Sequence, residues 1–305
     1  MVRRQAINIV MIVIIALIII GTGGTAAEPR KLTVTYNPMP FNLPSMVEQD
    51  QGLFRELGLD VTYNAFAVGY AMTEAMEAKE LDIAVVMGGT SAITSRAGGR
   101  DIQIVAAYSQ APQGFALVGL PGQLDLSNLE GKRISVPLGT EAHYLLGKIL
   151  AEQGLTFKDI TVVNLLVPDG VAALQGKHVD GAMVVEPVLT RLVHNNQIAV
   201  VRDGEGLMAG LTVSVARRGL NPSLIEQFLQ AQEIANQFIL NHRDQALEIA
   251  ARATSLPLPL VQQIAPKYTF NIEITDEIRI ALADTIDFLY EEGIIRTKIS
   301  VDDLF

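Results

Sequence analysis

The chain has 305 residues, of which 49% are hydrophobic and 18% charged. That is enough apolar material for about two packed domains and too much for a disordered chain. A net charge of −10 argues against a broad basic face for nucleic acid. The absence of cysteine excludes disulfides, thiolate metal sites and cysteine nucleophiles.

The N-terminus carries Arg3 and Arg4, an apolar run from Ile9 to Ile20, and a small-residue patch ending at Ala26-Ala27. Residues 1–27 are therefore expected to be a signal peptide, cleaved after Ala27, or an uncleaved N-terminal anchor. Both readings place the rest of the chain outside the cytoplasmic membrane, in the periplasm or an equivalent extracytoplasmic space. No later stretch is apolar enough to span a membrane.

The chain then repeats itself. The run from Ala75 through Lys79 and Asp82 to Ala84 aligns without gaps on Ala173 through Lys177 and Asp180 to Ala182. Lys31–Tyr36 and Lys132–Val136 read as strands upstream of each copy. Val61–Phe66 and Thr161–Leu166 read as second strands, and Val85–Met87 and Met183–Val185 as third ones. This order of strand, helix, strand, helix, strand, found twice, predicts two α/β lobes, each a mostly parallel sheet flanked by helices. Phe115–Gly119 and Leu211–Ala216 read as linkers out and back. The expected division is 28–118 with 213–305 as a discontinuous first lobe, and 119–212 as the second. Beyond Ala216 the pattern turns helical, with starts at Asn221, His242, Leu258 and Asp276. Ile280, Ala283, Ile286 and Leu289 are expected to share one face of the last helix. Ile286, Phe288 and Leu289 are expected in the core or at a lobe contact.

In open parallel sheets, ligands sit beyond the carboxyl ends of strands, where helices begin and present unpaired amides. Those positions here are Asn37-Pro38, Gly69-Tyr70, Gly88-Gly89-Thr90, Ser109, Gly139-Thr140-Glu141 and Glu186-Pro187. Taken singly, Thr90 and Thr140 read as N-caps and Gly88-Gly89 as tight turns. The functional reading rests on their convergence on two walls of one cleft.

At these residues the sequence resembles the substrate-binding proteins of ABC importers of the nitrate/sulfonate/taurine class, a group that includes binders of pyrimidines. The carriers are Tyr36-Asn37-Pro38, the run Gln51 to Val61, Leu81 to Ala84, Leu129 to Pro137, Gly139 to Tyr144, and Val179 to Pro187. The resemblance covers essentially all of the chain after the signal. It implies a periplasmic binding protein type II fold, in which two lobes close on a small polar ligand without chemistry. It also implies an ABC permease as partner, no cofactor or metal, and action as a monomer. Carried over position by position, it puts ligand loops at Asn37-Pro38, Gly88-Gly89-Thr90, Gly139-Thr140 with His143-Tyr144, and Glu186-Pro187. One position departs: the family usually carries Ser, Thr or Asn where Glu141 stands. A carboxylate there either opposes an anionic head group or, turned outward, stabilises the first turn of its helix.

Two other function classes compete. A membrane-tethered sensory module needs the uncleaved anchor and a signalling partner in trans. An enzyme on the same scaffold finds little support. The histidines at 143, 178, 194 and 242 show no metal spacing, and neither a nucleophile elbow nor a phosphate loop is present. Glu141 and His143 lie two residues apart and do not share a helix face.

Overall fold

The computed structural model describes residues 28–39, 42–66 and 69–305. The expected signal or anchor at residues 1–27 lies outside them. The described chain contains eleven strands and eleven α-helices. The strands are β1 (Arg30–Thr35), β2 (Leu59–Asn64), β3 (Ile83–Gly88), β4 (Ile102–Gln110), β5 (Phe115–Gly119), β6 (Arg133–Ser135), β7 (Thr161–Val163), β8 (Gly181–Val185), β9 (Ala199–Asp203), β10 (Leu211–Arg217) and β11 (Thr269–Phe270). The helices are α1 (Leu43–Gln51), α2 (Leu53–Glu56), α3 (Gly69–Glu77), α4 (Gly89–Ala97), α5 (Glu141–Glu152), α6 (Val167–Gln175), α7 (Val188–His194), α8 (Pro222–Asn241), α9 (Arg243–Thr254), α10 (Leu258–Ile264) and α11 (Asp276–Glu291).

They build two sheets, in the orders β11-β4-β10-β3-β1-β2 and β7-β6-β8-β5-β9. Each contains one parallel trio, β2-β1-β3 in the first and β7-β6-β8 in the second. The remaining neighbours are antiparallel. Both sheets are thus mixed, which corrects the expectation of mostly parallel ones. The reason lies in the two supposed linkers. Phe115–Gly119 pairs on both sides within the second sheet, and Leu211–Arg217 pairs on both sides within the first. The chain crosses between sheets at 111–114 and returns at 204–210. These crossings touch: the Ala111 amide donates to Gly210 O at 3.1 Å, and Gly204 N donates to Pro112 O at 3.2 Å. Gly210 has φ +58°, and a Cβ there would run into the Ala111 backbone, so the contact demands glycine.

Helices cover both faces of each sheet. On the first, α1, α2, α8 and α9 enclose a core around Leu32, Val34, Met46 and Phe228. Across the sheet, α3, α4 and α11 enclose Met76, Ile93, Val213 and Leu282. On the second, α5 covers one face and α6 with α7 the other. Strand β3 reads Ile-Ala-Val-Val-Met-Gly because its interior residues are buried between two helical layers.

Local chemistry sets the ends. Helix α8 starts with Asn221 accepting from Ser223 N and Pro222 in the first turn. Helix α11 starts with Thr275 accepting from Ile278 N, followed by Asp276 and Glu277. Its buried face is Ile278, Leu282, Thr285, Ile286 and Leu289. Ile280 instead is 61% exposed, since it sits two residues from Ile278 and so turns away from that stripe.

The sequence repeat is a structural repeat. Lys79 and Lys177 both close their helices with left-handed backbone, φ 59° and 60°. The amides of Glu80 and His178 donate back to Ala75 O and Ala173 O, each at 2.8 Å. The matched aspartates then tie the third strand to the first. Asp82 accepts from Thr33 N and Asp180 from Arg133 N, both at 2.9 Å.

Candidate functional site

The strand ends of the two sheets face each other across the crossings. Between them lies a cavity of about 190 Å³. Its floor is built by the ends of β1, β3, β4 and β8, through Thr35, Met87, Gly88, Ser109 and Val185. Ala111, Gly114 and Gly210 of the crossings close one side, and Phe66, Phe115 and Tyr268 supply aromatic walls. Ser109 and Thr212 share a 2.7 Å hydrogen bond at this wall. Tyr268 stacks on Phe270 at 6.0 Å, and burial with the nearby Glu186 charge pushes its phenol upward.

Of the residues expected from sequence, Asn37, Gly69, Gly88, Ser109 and Glu186 line this cavity. Asn37 donates from Nδ2 to Phe66 O at 2.9 Å, holding the loop after β1 against its neighbour. Glu186 is fully buried. Its carboxylate accepts from Thr190 Oγ1 at 2.6 Å, from Thr190 N at 3.1 Å, and from Lys267, which reaches it from the segment after α10.

Gly89 and Thr90 line a second gap between the lobes, of about 150 Å³, with Tyr144, Lys148 and Thr285. Gly139, Thr140 and Tyr70 line a third, outer groove, in which Tyr70 is 66% exposed. The Thr140 hydroxyl donates to Pro137 O at 2.7 Å, within its own loop. Two expected residues line none of these spaces. Pro38 is exposed on the loop after β1. His143 is buried on the far side of α5, where it packs on Phe157 at 4.8 Å and Nδ1 accepts from Gly139 N at 3.3 Å. Burial pulls its pKa down to about 4, so it is neutral at pH 7. The reason is helical geometry: residues two apart point some 200° around the axis, so Glu141 facing the cleft sends His143 into lobe packing.

Glu141 belongs to both inner spaces. It is 8% exposed, and Thr90 N donates to its Oε1 at 2.6 Å. This bond crosses from the second sheet's α5 to the first turn of α4. A Cβ on Gly88 would overlap the same carboxylate. Burial raises the Glu141 pKa, and the Thr90 amide opposes that rise. The outward orientation allowed by sequence is therefore not the one adopted.

Sequence reasoning did not select Phe66, Phe115, Tyr268 or Asn42 as site residues. Among the described residues no group of three His, Cys, Asp or Glu side chains is placed to hold a metal ion, and no helix is long and apolar enough to cross a membrane.

Known proteins resemble the chain along its whole length. A putative aliphatic sulfonates-binding protein of Escherichia coli is 22% identical over 304 residues, covering 96% of this chain and 95% of that protein. The taurine-binding periplasmic protein of the same organism is 26% identical over 286 residues, covering 88% of each. The solved structure of the alkanesulfonate-binding protein SsuA from Xanthomonas axonopodis pv. citri, bound to MOPS, superposes with a TM-score of 0.81 at 21% identity, covering 92% of this chain and 99% of that one. The two-lobed periplasmic binding fold is thereby shown. Residues 25–253 match the NMT1-like family, and the chain belongs to it.

Proposed function

We propose that the protein is the solute-binding component of an ABC importer, working outside the cytoplasmic membrane. The observation that carries this reading is the 190 Å³ cavity at the crossings, walled by strand ends of both sheets. A site split between two lobes couples ligand contact to lobe closure, because only the closed arrangement satisfies both walls. The relatives named as sulfonate- and taurine-binding proteins support the same role. In this reading 115–210 forms the second lobe, and the chain acts as a monomer that presents its closed form to a permease. Of the residues expected at the ligand, those lining the cavity make direct contact. Gly139, Thr140 and Tyr70 guard the outer groove.

No catalytic role is assigned. Glu141 faces Thr90 and His143 is turned away from the cavity onto Phe157, so these two side chains form no acid–base pair. A thermal-shift screen of small metabolites, followed by calorimetry on the hits, tests the reading. The expected result is one solute bound per chain, unaltered after recovery. A chemically changed solute would establish turnover instead, and a screen in which nothing stabilises the protein would contradict the binding role.

A further inference from the structure

The start of α4 lies at the cleft, with Gly88 lining the cavity and Gly89 and Thr90 the adjoining gap. In a helix of nine residues the first-turn amides and the axial dipole favour an anion. Here a carboxyl group already sits there, and it belongs to the protein. Glu141 crosses the gap, takes the Thr90 amide, and lies against Gly88 where any side chain would displace it. An anionic ligand group at this position would meet both an occupied donor and the oxygens of a buried carboxyl group.

The rest of the cavity wall points the same way. Among the described residues no Arg or Lys lines it. Lys267, which reaches the cavity-lining Glu186, is paired with that carboxylate. Asn42 is 4% exposed and lines the cavity, and its Oδ1 has no hydrogen-bond partner among the described residues. A buried acceptor without a donor costs on the order of 1–3 kcal/mol, a cost that an N–H group of a ligand at this wall would remove. The second oxygen of Glu141 is another acceptor on this wall. The remaining surface is aromatic and apolar, from Phe66, Met87, Phe115 and Tyr268.

We infer that Glu141 is a built-in occupant of the anion position on α4, and that the cavity selects a small, N–H-donating, non-anionic ligand with a flat apolar body in place of a sulfonate or nitrate. This rests on the solute-binding reading and names the ligand class for that site. Glu141 sets specificity by contact: one oxygen blocks the helix amide and the other receives the ligand's N–H. The volume is equivalent to about six waters at roughly 30 Å³ each, enough for a single substituted ring.

Calorimetry with three probes separates the alternatives: benzamidine as a cationic donor, 2-aminopyrimidine as a neutral donor, and ethanesulfonate as an anion. The wild-type protein is expected to bind a donor probe and to ignore ethanesulfonate. Glu141→Ser, which empties the amide site, is expected to gain ethanesulfonate affinity by about tenfold or more and to lose donor affinity by a similar factor. Should Glu141→Ser fail to fold, Glu141→Gln keeps the size and removes the charge, and benzamidine affinity is expected to fall by about tenfold. Ethanesulfonate binding to wild type as tightly as to Glu141→Ser overturns the inference. So does a wild-type protein that ignores both donor probes. In the first case ethanesulfonate is itself a bound solute and the solute-binding reading stands; in the second it stands if any other solute in the screen binds and falls with the inference if none does.

Discussion

Glu48 on α1 is 1% exposed, and its Oε1 has no hydrogen-bond partner among the described residues. Burial pushes its carboxyl up to about 8. Tyr63 and Tyr108 lie close enough that its charge, added to burial, raises both phenols. Tyr108 turns its hydroxyl to Ser45, 2.9 Å away, and not to Glu48. The folded protein therefore holds a proton on Glu48 that the unfolded chain releases above the usual carboxylate range. The sign follows: stability is greatest below the unfolded pKa and falls as pH rises toward and through 8. Between pH 5 and pH 8 the wild type is expected to lose on the order of 3 kcal/mol that a Glu48→Gln variant keeps. Denaturant melts of both proteins across that range test this. A difference that stays constant with pH would contradict it.

At the scale of elements, the repeat gives the sharper test. Asp82 and Asp180 occupy matched turns and accept from matched strand amides, but their surroundings differ. Asp82 is the more buried, with its side chain 17% exposed against 36%, and it also binds Arg217 of β10. Asp82→Ala is expected to cost about 1–3 kcal/mol, because it strands a half-buried guanidinium and a strand amide. Asp180→Ala faces solvent screening and is expected to cost less than about 1 kcal/mol. Urea unfolding of the two variants ranks them; equal or reversed costs would show that the copies are not used as described. Elements were readable wherever local chemistry marks their ends. Asp276–Glu291 follows from its cap and acidic first turn, and Pro222 opens α8 for the same kind of reason. Phe115–Gly119 and Leu211–Arg217 were misread as linkers because a short apolar run does not say which strands will pair with it. That information lies in partners such as Val185 and Gln110, far away in sequence.

On the scale of the whole molecule, contacts of different kinds join the lobes among the described residues. Glu141 meets Thr90 at the centre, and Lys267 meets Glu186 beside the cavity. Phe288 of α11 packs edge-on against Tyr144 of α5 at 5.0 Å and against Phe157 at 6.3 Å. The strand-end rule picks out Asn37, Gly69, Gly88, Ser109 and Glu186, which line the cavity, because each lies at a strand end or helix start, a local property. It does not select Tyr268, because that residue immediately precedes the short β11 and is brought to the cavity by the pairing of β11 with β4. His143 was carried by family likeness alone, and the turn of α5 places it on Phe157. These two residues give the most direct measurement. Once a bound solute is identified, its calorimetric affinity is compared in wild type, Tyr268→Ala and His143→Leu. A ligand held in the interlobe cavity requires Tyr268→Ala to weaken binding by about tenfold or more, with His143→Leu within about twofold of wild type. Unchanged affinity in Tyr268→Ala, or a larger loss in His143→Leu, would place the ligand elsewhere and contradict the account.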